Sequence, residues 1–162
     1  MLAVTFYSVM VAVHVMAIVM AFGVTFAYPI MGPFVMTRHP RALPALHEAQ
    51  DRIGKLLITP FATVALGVGI YLASHGHFWG ETWVQVPLAI LIVLMGLGGA
   101  FFSPNERKAA ELAARDIAAS GDGEVVLSDE YRAVIGRVAA AGALSSLLIL
   151  VAVFFMVAKP FA

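Results

Sequence analysis

Apolar residues run through this chain in four long, uninterrupted stretches, and polar residues collect between them. Phe6 to Tyr28, Leu56 to Ala73, Val84 to Phe102 and Val138 to Val157 contain no Asp, Glu, Lys or Arg. Each stretch is close to the ~20 residues that a helix needs to cross bilayer hydrocarbon, where every backbone polar group must be satisfied within its own segment. The pattern predicts an all-α fold: an integral membrane bundle of four transmembrane helices, with spans at about 5–29, 53–74, 83–103 and 133–158 and a short cytoplasmic amphipathic helix. Four helices and their extensions use nearly all 162 residues, which predicts a single domain over 1–162.

Composition agrees. Hydrophobic residues make up 61% of the chain and charged residues 12%, and the mean hydropathy is +0.92, too little polar surface for a water-soluble domain of this size. The first stretch has no positively charged leader and outruns a signal peptide's apolar core, so it is read as a membrane helix. Arg38, Arg41, Arg52 and Lys55 follow the first span, Arg107, Lys108, Arg115, Arg132 and Arg137 follow the third, and only Lys159 lies elsewhere. Basic loops stay on the cytoplasmic side, so the expected orientation places the N-terminus, the Ser74 to Thr82 loop and the C-terminus outside. No basic patch has the density that nucleic-acid binding needs. Cysteine is absent, which excludes disulfides, thiolate catalysis and Cys-ligated metals. No repeat points to an inverted-repeat transporter.

The polar connections carry helix signals of their own. Pro44 suits a first turn, and Glu48/Arg52 and Asp51/Lys55 are acid-before-base pairs four apart, predicting a helix that runs into the second span and kinks at Pro60. Ser103-Pro104-Asn105-Glu106 reads as a capping box opening an amphipathic helix to about Ala119; Ser120 to Gly123 reads as a turn and Ser128 as the cap of the last helix. Small residues should mark helix contacts in lipid: Thr63/Gly67, Ala65/Gly69, Gly96/Ala100 and Ala139/Ala143. Tyr7, Tyr28, Phe78, Trp79 and Trp83 fit interfacial aromatic belts.

His14 is the one side chain with a near-neutral pKa inside any of the four stretches. Ionisable groups within a membrane are costly and mark ligand, proton or ion sites. Met10, Ala17 and Ala21 share its helix face, which predicts an imidazole directed into the bundle. Three readings compete. As a structural group, neutral His14 would bond a backbone carbonyl, Thr63 or Ser145 across the bundle; as a ligand it would take haem iron or another metal, with Met95, Met156, His75, His77 or a second protomer's His14 available as the opposite ligand of a haem; as a titrating group it would relay protons. Met10 and Met95 complete the candidate cofactor set.

Here the chain resembles a known group. The run His14-Val15-Met16-Ala17-Ile18-Val19-Met20-Ala21-Phe22-Gly23 is similar to the opening helix of small bacterial four-helix membrane proteins of the copper-resistance-D-like group, in which a His precedes an aromatic–Gly step by about two turns. Leu56-Leu57-Ile58-Thr59-Pro60, Gly67-Val68-Gly69-Ile70-Tyr71-Leu72 and Trp83 resemble an uncharacterised branch of predicted integral membrane proteins. The wider group includes a haem-b-containing protoporphyrinogen oxidase, and the resemblance implies His14 as an axial haem ligand. The oxidase's Lys at the start of the third helix is replaced here by Val84-Gln85-Val86-Pro87.

A second candidate lies in the outer loop. An extended His75-Gly76-His77 would place two imidazoles on one side, and Glu81 would add an oxygen, a set suited to Cu or Zn; the alternative is solvated loop histidines. His39 and His47 sit among cytoplasmic charges, where solvation or contact with lipid phosphates is expected. Glu106 and Glu111 are expected on a solvated helix face, and the eight methionines are expected to fill the core. No nucleophile–base pair, phosphate loop or membrane carboxylate pair stands out. The leading expectation is a b-haem protein for electron transfer or haem handling; the alternatives are a non-enzymatic scaffold subunit and a small-solute or metal-ion permease. Expected partners are the bilayer and either further copies of the chain or a larger membrane complex.

Overall fold

Backbone polar groups in hydrocarbon have only their own helix to bond to. The computed structural model describes residues 5–161, and among these it is helical almost throughout, with no strand. Four rods result: α1 (Phe6–Arg38), α2 (Pro40–His75), α3 (Thr82–Ser120) and α4 (Asp129–Ala158), each long and apolar enough to cross a membrane. All but α4 run well past the predicted spans at the arginine-rich side, called here the basic end. Thr5 caps α1 reciprocally: its Oγ1 accepts from the Ser8 N–H at 3.1 Å while Ser8 Oγ accepts from the Thr5 N–H at 2.9 Å. Ser128 caps α4 as predicted, accepting the Tyr131 N–H at 3.3 Å.

Two prolines each follow a wide turn, and the second, Pro104, does not open a helix as expected. Gly54–Ile58 and Gly98–Phe102 are wide π-type turns, each followed by a hydroxyl residue and a proline: Thr59-Pro60 and Ser103-Pro104. Proline lacks an N–H and its ring collides with the carbonyl four residues back; a turn with one extra residue moves that carbonyl aside and lets the helix continue. Ser103 therefore caps nothing. The predicted helix start at Ser103 is an interior position of α3, and Ser103 Oγ instead donates to Asp51 Oδ1 on α2 at 2.6 Å.

The rods associate as two antiparallel pairs. α1 packs on the membrane part of α2, and α3 packs along α4, whereas the two pairs meet chiefly through the basic-end extensions of α2 and α3. Three apolar layers follow the bundle: Leu43, Leu112 and Val134 at the basic end, Phe22, Leu91 and Ile149 in the middle, and Ala73, Trp83 and Val84 at the far end. Small residues mark close approaches in the first pair, where Ala17, Ala21 and Ala65 are buried and Gly69 touches His14, and at the basic end, where Ala109 and Ala113 are buried. Thr63/Gly67, Gly96/Ala100 and Ala139/Ala143 instead face outward, because bulkier leucines and alanines on other faces fill the contacts.

Candidate functional site

His14 stands on the face of α1 that packs against the membrane part of α2. Helical spacing puts it on the face of α1 that buries Ala17 and Ala21, and the half-buried ring turns toward α2, not toward lipid. Its Nδ1–H donates to the Ala65 carbonyl at 2.9 Å, the backbone alternative among the expected partners. Thr63 is spent on the Thr59 carbonyl, and Ser145 Oγ is buried with no hydrogen-bond partner among the described residues. Glycine is needed opposite the ring: a Cβ on Gly69 would stand 3.0 Å from His14 Cε1. This arrangement fixes the tautomer, since a ring nitrogen that donates leaves the other, Nε2, with its lone pair.

The same ring lines a cavity of about 270 Å³ bounded by all four helices, with Ile18, Leu91, Ile149 and Met156 among its walls. It lies between the middle and far-end layers, whose residues Phe22, Leu91, Ala73 and Val84 are among its walls. Of its lining side chains only His14 and Trp79 carry polar atoms, and Trp79 Nε1 donates to Ser74 Oγ at 3.2 Å. The cavity therefore offers one imidazole in an apolar chamber. Met10 is half-buried on the His14 face and Met95 packs in the middle layer, yet neither lines the cavity; Met156 does.

The outer loop is not extended. His75 ends the α2 helix with its ring stacked on Tyr71, centroids 5.7 Å apart, while His77 is exposed in a left-handed conformation at φ 57°. Glu81 precedes the first turn of α3, where its carbonyl accepts the Gln85 N–H. Among the described residues no three His, Asp or Glu side chains converge as a metal site would. Trp83, expected in an interfacial belt, is buried beneath Lys159, whose Nζ lies 4.7 Å from the ring centroid.

A second polar centre lies at the basic end, where the sequence reading expected solvated groups. His47 is buried on α2, and its Nδ1–H donates to Glu106 Oε2 on α3 at 2.7 Å. Its Nε2 shares a hydrogen bond of 2.9 Å with the Tyr131 hydroxyl of α4. Tyr28 on α1, expected in an aromatic belt, has its hydroxyl buried within reach of the Glu106 charge and without a partner among the described residues. Each helix thus contributes one polar group. Glu111 is exposed as expected, but Glu106 is not. The missed signal was phase: Glu106 shares its helical face with Ala109, Ala113 and Asp116, all buried, and His47 with Leu43.

Nearby, Asp116 ties α3 to the start of α4. Its Oδ2 accepts the Ser128 N–H at 2.8 Å and the Ser128 hydroxyl at 2.7 Å, and Arg115 donates to Oδ1. The Ser128 backbone N–H first, then its hydroxyl and Arg115, hold this carboxyl below the usual carboxylate range despite its burial. Searches against family models, curated proteins and solved structures find no match to this chain.

Proposed function

We propose that the chain is a multi-pass protein of the bacterial inner membrane whose cavity would hold b-type haem, with His14 as the residue that would ligate its iron, for electron transfer or haem handling. What carries the reading is the 2.9 Å bond from His14 Nδ1–H to Ala65. A ligating histidine characteristically donates its second ring nitrogen to a carbonyl, which sets the tautomer and raises the basicity of the first. The apolar walls suit a macrocycle, and Met156 offers a sulfur within the same chamber. At about 270 Å³ the chamber lies just below the ~300–1,000 Å³ of small-molecule sites, so a large planar group would part the two helix pairs as it entered. Lys159 is the one Lys or Arg placed at that end to meet a carboxylate. A bound haem would supply one-electron chemistry; the chain's share is to orient the imidazole and keep water out.

The visible spectrum of protein purified in detergent from haem-replete cells tests this. The expected outcome is a Soret band that disappears in His14→Ala, and a colourless wild-type preparation overturns the proposal. A second reading, His14 as a tie between α1 and α2 in a scaffold subunit, is favoured by the same bond and predicts colourless protein that melts lower in His14→Ala. Permeation gains little support from walls with so few polar atoms.

A further inference from the structure

We propose that the chamber beside His14 opens sideways to the bilayer through a seam between α1 and α4, and that its occupants come from the lipid phase, an acyl chain filling it when no ligand does. The seam is read from how exposure changes round two helices. On α1, His14 and the buried Ala17 and Ala21 face α2; at ~100° per residue the wall residues Val15 and Val19 lie about 100° and 140° further round, away from that partner. They are 54% and 61% exposed although they line the chamber. On α4, Phe155 packs against the far-end layer that holds Trp83 of α3. Val153 and Val157 stand on the other side of Ile149, and exposure climbs from 6% at Ile149 to 43% and 79% at those two wall residues.

Contacts between the rods agree. α1 and α4 each pack along their own partner, α2 or α3, and meet each other chiefly around Gly23–Ala27, on the basic-end side of the chamber. Two helices that both turn exposed apolar side chains to one chamber, and touch little beside it, leave a way through at the depth of the hydrocarbon. The walls decide what enters. Water in a protein cavity needs about two to four polar partners, and only His14 and Trp79 carry polar side-chain atoms here, with the Trp79 N–H spent on Ser74. Hydrocarbon matches the leucine, valine and isoleucine walls and restores the dispersion contacts that unfilled space forfeits. Trp79 marks the competing entrance, from water, because it is exposed and lines the chamber at its far end. Lipid access goes beyond the haem reading and does not depend on it.

Methyl-labelled full-length protein in phosphatidylcholine nanodiscs tests the seam without any substitution. The methyl groups of Leu91 and Ile149, buried on the chamber wall, should show nuclear Overhauser contacts to acyl-chain protons and none to water. Ala21, buried in the middle layer but not on that wall, should show neither. Val15→Phe with Val153→Phe fills the seam and should remove most of the acyl signal at Leu91; Val19→Phe serves where the pair does not fold. Absence of acyl contacts at Leu91 and Ile149 in the wild type overturns the proposal. So do contacts to water in their place, which would put the entrance at Trp79, and acyl contacts that survive the filled seam. Haem delivered from phosphatidylcholine vesicles to haem-free protein should raise the Soret band about tenfold more slowly when the seam is filled, and equal rates overturn entry from lipid. A Soret band absent from every variant ends the haem reading alone, because the acyl contacts decide the seam without it.

Discussion

The two ends of the bundle bury polar groups by opposite means. At the basic end His47 bonds both Glu106 and Tyr131 and so joins three helices. In the other half a single imidazole bonds the backbone through Nδ1, and its residue lines a cavity. A saturated cluster fixes helix positions because each member becomes costly once its partner is gone. A half-used group on an apolar wall leaves chemistry to spare. The contrast teaches where stability and where ligand binding should reside in this chain.

The comparison breaks most readily at Glu106. Glu106→Ala leaves His47 without its carboxylate and should destabilise the fold by about 3 kcal/mol, read as a lower thermal or denaturant midpoint in detergent; a loss below about 1 kcal/mol would show that the cluster does not hold the helices. Next comes Gly69→Val, whose branched side chain would enter space taken by His14 Cε1 at 3.0 Å from a Cβ. Overpacking there should cost about 2 kcal/mol and displace the ring, with a Soret band, where present, weakened or shifted. Unchanged stability and spectrum would mean the ring has room to move.

Smaller effects sharpen the contrast. His14→Ala should lower the stability of ligand-free protein by only about 1 kcal/mol, the scale of an interhelical hydrogen bond in a membrane. A penalty as large as that of Glu106→Ala would make His14 a structural tie first. Asp116 supplies the pH test. Its carboxyl is held below the usual range by the Ser128 N–H, so its stabilisation is complete above the ordinary carboxylate pKa and is lost as pH falls through the folded value. The acid side of a stability–pH profile should therefore flatten in Asp116→Asn, and an unchanged slope would remove Asp116 from the acid response.

The spans, the Ser128 cap and the inward direction of His14 were legible because apolar pattern and helical spacing carry them directly. The proline turns were not. Ser103-Pro104-Asn105-Glu106 satisfies the requirements of a helix start and of a π-type bypass equally, and only the continuity of the bundle decides. His47 and Glu106 are 59 residues apart, so their meeting depends on how α2 and α3 pair, which no local pattern encodes. Their shared faces with Leu43 and Ala109 were readable, but charge was given more weight than phase. The cavity was invisible for a related reason: its walls come from all four helices and depend on how they pack.

The paired wide turns at Gly54–Ile58 and Gly98–Phe102 set the angular phase between the lipid-facing half of each rod and its extension. Each turn holds one residue more than a regular α-helix would, and deleting it would rotate everything beyond by about 100°, the arc of a single residue. One such deletion would swing His47 or Glu106 out to solvent while leaving hydropathy, length class and spans untouched. These two small dislocations thus act as clocking collars, so that this chain tolerates drift in apolar identity far better than a change of count near Thr59-Pro60 or Ser103-Pro104.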